Sequence, residues 1–294
     1  MNSQQYMQRC LDLASLGQSE VAPNPMVGCV IVKNDTIIGE GYHALFGGPH
    51  AEVVAIQSVK DQNELIGATV YVSLEPCAHF GKTPPCSNLL IDKKVSKVVV
   101  ACLDPNPKVA GKGIERLKKA GIAVEIGLLE NEAQQLNKRF FCYHQKQRPY
   151  VILKWAQTKD GFLDRLRTKD QKGIHWISSE ESKALVHHWR SQEMSILVGK
   201  HTAINDNPSL TVRDVSGKNP IRILIDSQLQ VQNDISLFSK DAPTLIFNRL
   251  KNDKNDSVEW IKIAETNTKN ILEELHKRGI HSVMVEGVKE YFFQ

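Results

Sequence analysis

The spacing of apolar positions changes several times along the first 145 residues, and each change predicts an element. Tyr6, Met7, Cys10, Leu13 and Ala14 recur at helical intervals, which predicts an amphipathic helix over 4–16. An apolar run over 27–33, a turn at Asn34-Asp35 and a second run over 36–42 predict a hairpin. A helix over 50–59 and a short strand over 69–73 follow. Pro85, whose missing N–H is harmless in a first turn, predicts the start of a helix reaching residue 92. Strand 95–102, helix 112–120, strand 122–126 and helix 130–144 complete the pattern. Such alternation predicts a sheet covered by helices, an α/β domain over 1–145.

A polar, basic tether at 145–148 leads to Pro149 and an apolar strand beginning at Tyr150, so a second domain is expected over 149–294. It contains an amphipathic helix from about 180 to Arg190 and a strand at Ile196-Leu197-Val198-Gly199. No Gly-x-Gly-x-x-Gly follows a strand, which argues against a Rossmann dinucleotide site.

Composition narrows the function classes. The chain has 294 residues, 41% of them hydrophobic, enough for two cores. Its net charge of +4 is spread out, and the densest basic group, Lys108, Lys112, Arg116, Lys118 and Lys119, reads as a solvated helix face. A nucleic-acid partner is not expected. Neither a signal-peptide apolar region nor an uninterrupted apolar stretch of about 18 residues occurs, so no membrane partner is expected either. Six cysteines beside a metal-type motif fit a reducing cytoplasm. A homo-oligomer is compatible with the sequence.

The candidate chemistry lies between His50 and Cys86. His50, Cys77 and Cys86 form a borderline-soft ligand set that suits zinc and leaves a fourth position for water. Glu52, two residues after the histidine, can carry protons without ligating the metal. This His-x-Glu followed by Pro-Cys is the zinc-deaminase signature. Eight residues separate the cysteines, where the common form has two, and a functional loop carrying His79 and Lys82 is expected there.

Pro76-Cys77-Ala78-His79-Phe80-Gly81-Lys82-Thr83-Pro84-Pro85-Cys86 resembles the bifunctional riboflavin-biosynthesis deaminase/reductase family. Pro23-Asn24-Pro25-x-Val27-Gly28 and Gly41-x-His43 match it too. In the second half, Leu153-Lys154-Trp155-Ala156, Trp176-Ile177-Ser178 and the run from Asn205 to Arg213 are similar to its reductase half. The resemblance implies a cytidine-deaminase-like α/β/α domain followed by a dihydrofolate-reductase-like α/β domain. It implies zinc-dependent deamination of a phosphoribosylaminopyrimidine, a small molecule, then NADPH-dependent reduction of its ribosyl group.

The family also implies site residues. Asn24 and His43 would contact the pyrimidine, and His79 and Lys82 the substrate and its phosphate. On their own residues, Asn24 reads as a turn and His43 as a strand-end histidine. NADPH contacts fall at Ala156, Trp176, Thr202, Asp206 and Ser227, with Lys154 beside the cofactor and the reacting sugar. Arg190, Leu210, Arg213 and Glu286 fall on the phosphoribosyl substrate, the two arginines being able to fork onto a phosphate. Read singly, Arg190 closes a helix, Trp176 is core and Asp206 caps a turn. The family pattern has Asp at Asn207, a small hydroxyl residue at Ile174, and glycine at Val288 followed by further elements. An incomplete reductase domain with weakened NADPH binding is therefore expected. Two rivals make other forecasts: a nucleic-acid base deaminase would show the short cysteine spacing, and a zinc-stapled scaffold a fourth protein ligand.

Overall fold

The chain opens with helix α1 (Ser3–Ser15), which starts at a capping box: Asn2 accepts the Gln5 N–H, and the Gln5 side chain accepts the Asn2 N–H. Its buried side, including Met7, Cys10 and Ala14, lies on strand β1 (Gly28–Lys33). Contact is so close at Gly28 that a β-carbon there would stand 2.0 Å from the Cys10 carbonyl oxygen. The computed structural model describes residues 1–78, 84–107, 109–164 and 172–287, and the chain divides into two units, Met1–Lys146 and Gln147–Gln294.

In the first unit β1 pairs antiparallel with β2 (Thr36–Tyr42) and β3 (Thr69–Val72). Strands β4 (Lys97–Val100) and β5 (Ala123–Ile126) extend the sheet in parallel, giving the order β2-β1-β3-β4-β5. Helices α2 (Ala51–Ser58), α3 (Cys86–Asp92) and α4 (Lys112–Lys119) cover one face, while α1, α5 (Glu130–Leu136) and α6 (Lys138–Lys146) cover the other. Alternation along β1 feeds both cores, Cys29 and Ile31 on one side and Val30 and Val32 on the other.

Two expectations need correction. The single helix over 130–144 is two helices, interrupted at Asn137. That side chain turns inward, accepting the Met26 N–H and donating to the Met26 carbonyl oxygen, both at 2.8 Å. Pro85 is the N-cap of α3, not its first residue, because its ψ of 140° is still extended.

The second unit has the sheet order β10-β11-β9-β8-β7-β12-β6. The strands are β6 (Tyr150–Lys154), β7 (Ser195–Gly199), β8 (Ile221–Ile225), β9 (Thr244–Asn248), β10 (Asp253–Lys254), β11 (Val258–Lys262) and β12 (Ser282–Glu286). All neighbours are parallel except β10 and β11. Helix α9 (Thr268–Lys277) packs Ile271 and Leu275 on one face; α8 (Lys200–Asp206) packs Ala203 on the other. Helix α7 (Glu180–Ser191) connects β6 to β7 and is capped by the Ser179 hydroxyl. Coverage on both faces explains the unbroken apolar runs Ile223–Ile225 and Val283–Val285. Among the described residues, no helix is long and apolar enough to cross a membrane.

Candidate functional site

In the first unit three chain segments meet. His50 is the N-cap of α2 and Cys86 the first residue of α3, while Cys77 lies on the turn that continues β3. Their ligand atoms all lie within 4.8 Å of one another. His50 Nδ1 stands 3.3 Å from Cys86 Sγ and 3.6 Å from Cys77 Sγ. Tetrahedral zinc, with bonds of about 2.1 Å to nitrogen and 2.3 Å to sulfur, spaces such donors roughly 3.6–3.8 Å apart. The trio therefore fits zinc in both donor chemistry and spacing. Cys102 lies away from the trio, its Sγ pointing at the Ser73 carbonyl oxygen 3.4 Å away in the α1 core. Among the described residues the metal-type cluster contains these three alone.

Thiolate character is built into the trio. Cys77 is drawn down by a hydrogen bond from Cys86 and further by His50, and the Cys86 N–H also points at its sulfur at 3.3 Å. Cys86 is pushed up by that same bond and by burial, so a proton shared by the sulfurs sits on Cys86. Glu52, in the first turn of α2, is only 3% exposed. Burial, then the charge of Cys77, raises its carboxyl to about 7. A bound cation draws that value down again.

Beside the trio, His43 and His50 meet edge to face with ring centres 5.8 Å apart. The His43 Nδ1 lies 2.9 Å from the Pro49 carbonyl oxygen, which can only accept, so the ring proton is on Nδ1. Nε2 is then the acceptor for the Asn24 amide at 3.1 Å. Asn24 and His43 are thus one hydrogen-bonded pair next to the metal-type ligands. His79 and Lys82 lie outside the described residues.

Glu75 was not singled out from the sequence. Its buried carboxylate accepts the N–H groups of Gly111 and Gly113 at 2.9 Å, Asp104 at 3.3 Å and Ile114 at 3.4 Å. It thereby ties the 104–114 loop to the turn carrying Cys77. An acid just before a Pro-Cys metal turn was the available signal.

In the second unit the polar residues gather at the C-terminal ends of the parallel strands, where open α/β sheets bind ligands. Lys154 ends β6 and Glu286 ends β12, paired in register with Nζ 3.8 Å from Oε2. Arg190 forks onto Glu286 at 3.1 and 3.0 Å and donates to the Thr211 carbonyl oxygen at 3.3 Å. Its fork therefore faces a carboxylate, where the sequence suggested a phosphate. The Arg213 guanidinium turns toward the Ser209 and Thr211 hydroxyls, and Leu210 between them is buried with φ of +53°.

Thr202 lies in α8 against Gly287: a β-carbon on Gly287, whose φ is +71°, would stand 2.2 Å from Thr202 Oγ1. Gly287 is therefore packed directly under the Thr202 side chain, a contact that a residue with a β-carbon could not make. Ser227 follows β8 with its hydroxyl 2.5 Å from that of Thr266. Asp206 ends α8, and Asn207 takes the left-handed conformation that stops the helix. Ala156 follows β6, half-buried. Trp176 is exposed, with the Lys183 ammonium 3.9 Å from its ring centre, so it is not core. Ile174 is also exposed, and Val288 lies outside the described residues.

Two family models match the chain. The cytidine and deoxycytidylate deaminase zinc-binding region matches residues 1–102, and the RibD C-terminal domain matches residues 149–289. The riboflavin biosynthesis protein RibD of Aquifex aeolicus is 43% identical, covering 98% of this chain and 83% of the relative. RibD of Synechocystis is 38% identical over 97% of this chain and 78% of the relative. Among solved structures, the Thermotoga maritima diaminohydroxyphosphoribosylaminopyrimidine deaminase/5-amino-6-(5-phosphoribosylamino)uracil reductase is similar with a TM-score of 0.85 and 39% identity, covering 97% of this chain and 80% of that one. Acinetobacter baumannii RibD gives a TM-score of 0.85 and 37% identity over the same shares. The chain belongs to the RibD family of riboflavin-biosynthesis enzymes, which join a zinc-dependent deaminase domain to an NADPH-dependent, dihydrofolate-reductase-like reductase domain.

Proposed function

We propose that the first unit hydrolyses the 2-amino group of 2,5-diamino-6-(phosphoribosylamino)pyrimidin-4-one, and that the second reduces the ribosyl group of the product to ribityl. The observation that carries the first half is the His50, Cys77 and Cys86 trio with buried Glu52 beside it. Zinc held by those three residues would supply a water whose pKa falls from 15.7 to about 7. Glu52 would take a proton from that water and deliver it to the departing ammonia, a role suited to a buried carboxyl in the first turn of α2 beside the trio. Asn24, fixed through His43, would present its amide to the pyrimidine edge, and the family resemblance assigns further substrate contacts to His79 and Lys82.

For the reductase half, bound NADPH would supply the hydride for the reduction at C1 of the sugar. Thr202, Ser227, Ala156, Asp206 and Trp176 would hold the cofactor at the strand ends. Arg213 and Leu210 receive the phosphoribosyl group, Arg190 and Glu286 shape that subsite as a pair, and Lys154 lies beside the reacting sugar. The thiolate ligands favour a reducing, cytoplasmic setting. Purified protein, loaded with one zinc per chain, should release ammonia from the diamino substrate and then oxidise NADPH. Ammonia release from cytidine or an adenine-bearing RNA, with none from the diamino substrate, would overturn the assignment. Ammonia release without NADPH oxidation would overturn its second half.

A further inference from the structure

We propose that His187 is a positioning residue for Arg213, holding the 209–214 segment of the second unit in its substrate-binding conformation only while the imidazole is neutral. His187 is buried on α7, and the Arg213 backbone N–H points at its Nδ1 from 3.1 Å. That nitrogen must therefore carry the lone pair, which leaves the ring proton on Nε2, 3.9 Å from Asp214 Oδ2. One turn further along α7, Arg190 takes the Thr211 carbonyl oxygen. The helix thus grips the segment twice, by an acceptor at position 187 and a donor at position 190.

The segment needs such a grip. Leu210 and Asp214 both have positive φ, +53° and +64°, a strained choice for residues with side chains. Between them, the Arg213 guanidinium folds back over the Ser209 and Thr211 hydroxyls. Its placement follows from the backbone that His187 holds.

The groups facing His187 are Arg190 from α7, and Arg213, Asp214 and the Thr211 carbonyl from the segment. Burial first, then the two guanidinium charges, push its pKa below the ordinary 6.5, while Asp214 and the carbonyl oppose. The neutral, accepting ring is therefore present at neutral pH and is lost as pH falls through the lowered value. Protonated Nδ1 cannot accept, and the Arg213 N–H is left without its partner.

This inference rests on the reading that Arg213 contacts the phosphoribosyl substrate. The test is the reductase KM for 5-amino-6-(5-phosphoribosylamino)uracil, measured between about pH 5.5 and 8. Wild type is compared with His187→Leu, His187→Asn and Arg213→Met. His187→Leu should raise KM by about tenfold at neutral pH with little change in kcat. His187→Asn should recover part of that loss, because its amide oxygen can accept near the Nδ1 position.

Substrate phosphate titrates near pH 6 in every variant, so the acid effect is read as the ratio of wild-type to His187→Asn KM. That ratio should climb as pH falls. A ratio constant with pH, or a His187→Leu defect confined to kcat, overturns the inference. If His187→Leu does not fold, the His187→Asn ratio decides alone. An unchanged KM in Arg213→Met would instead remove the substrate reading of the segment, and the inference with it.

Discussion

The Glu75 carboxylate accepts the Gly113 N–H at 2.9 Å, and a β-carbon on Gly113 would stand 1.9 Å from the Pro76 carbonyl oxygen. The start of α4 is thereby locked to the turn that presents Cys77. Gly113→Ala cannot be relieved by a side-chain shift, because the obstacle is backbone. The variant should lose about 2 kcal/mol or more of stability and release zinc more readily than wild type. Metal content after dialysis against a mild chelator checks this; full retention would show that the turn and α4 move independently.

On the proposed roles, Glu52 and Cys86 separate chemistry from metal binding. Glu52→Gln keeps the volume and removes the proton carrier, so zinc content should stay near one per chain while deamination falls by about 100-fold or more. Cys86→Ser replaces a thiolate by a weakly acidic hydroxyl, and zinc itself should be lost. Measuring metal and ammonia release on the same preparations distinguishes the two. Deamination surviving in Glu52→Gln would reassign the proton transfer.

Much of the first unit was legible because its signals are local. The apolar runs at 27–33 and 36–42, the turn at Asn34-Asp35 and the apolar face of α1 each decide their element within a few residues. His50, Cys77 and Cys86 were legible as a set because soft ligands in that order have few other uses. The break at Asn137 was not, since it depends on Met26, far off in sequence. Glu75 was hidden for a similar reason: its partners lie about 30 to 40 residues downstream. Arg190 was read as a phosphate fork because its carboxylate partner, Glu286, is 96 residues away.

The Arg190 and Glu286 pair makes its own forecast. Both side chains are about one-tenth exposed, and Lys154 approaches the same carboxylate. Glu286→Gln would leave the guanidinium without its counter-charge, and should lower stability by about 3 kcal/mol. Removing both charges in Arg190→Met/Glu286→Gln should recover part of the loss. A double-mutant cycle by urea unfolding gives the coupling directly; simple additivity would mean that the fork contributes nothing to stability.

Arg222 offers the sharpest test of the second unit, because a fully buried guanidinium is held there by uncharged oxygens alone among the described residues. It lies on β8 with no exposure and donates to the Thr244 hydroxyl at 3.0 Å and to the Ser239 hydroxyl at 3.0 Å. The carbonyl oxygens of Ser209, Ser236, Ser239 and Ala242 take the rest. Burial lowers its pKa, and the charge of Asp241 opposes that. Five donors in a rigid fork reach the 209 and 236–242 segments together, which an ammonium on a flexible stem cannot reproduce. Arg222→Met should therefore leave several carbonyl groups without donors and destabilise the unit by about 3 kcal/mol. Arg222→Lys should recover only a minority of that, since three donors from one point cannot span both segments. Because Ser209 belongs to the Arg213 segment, KM for the reductase substrate should rise in the lysine variant even where it remains folded. Equal stability of the lysine variant and wild type would show that the charge, not the fork, is what β8 requires.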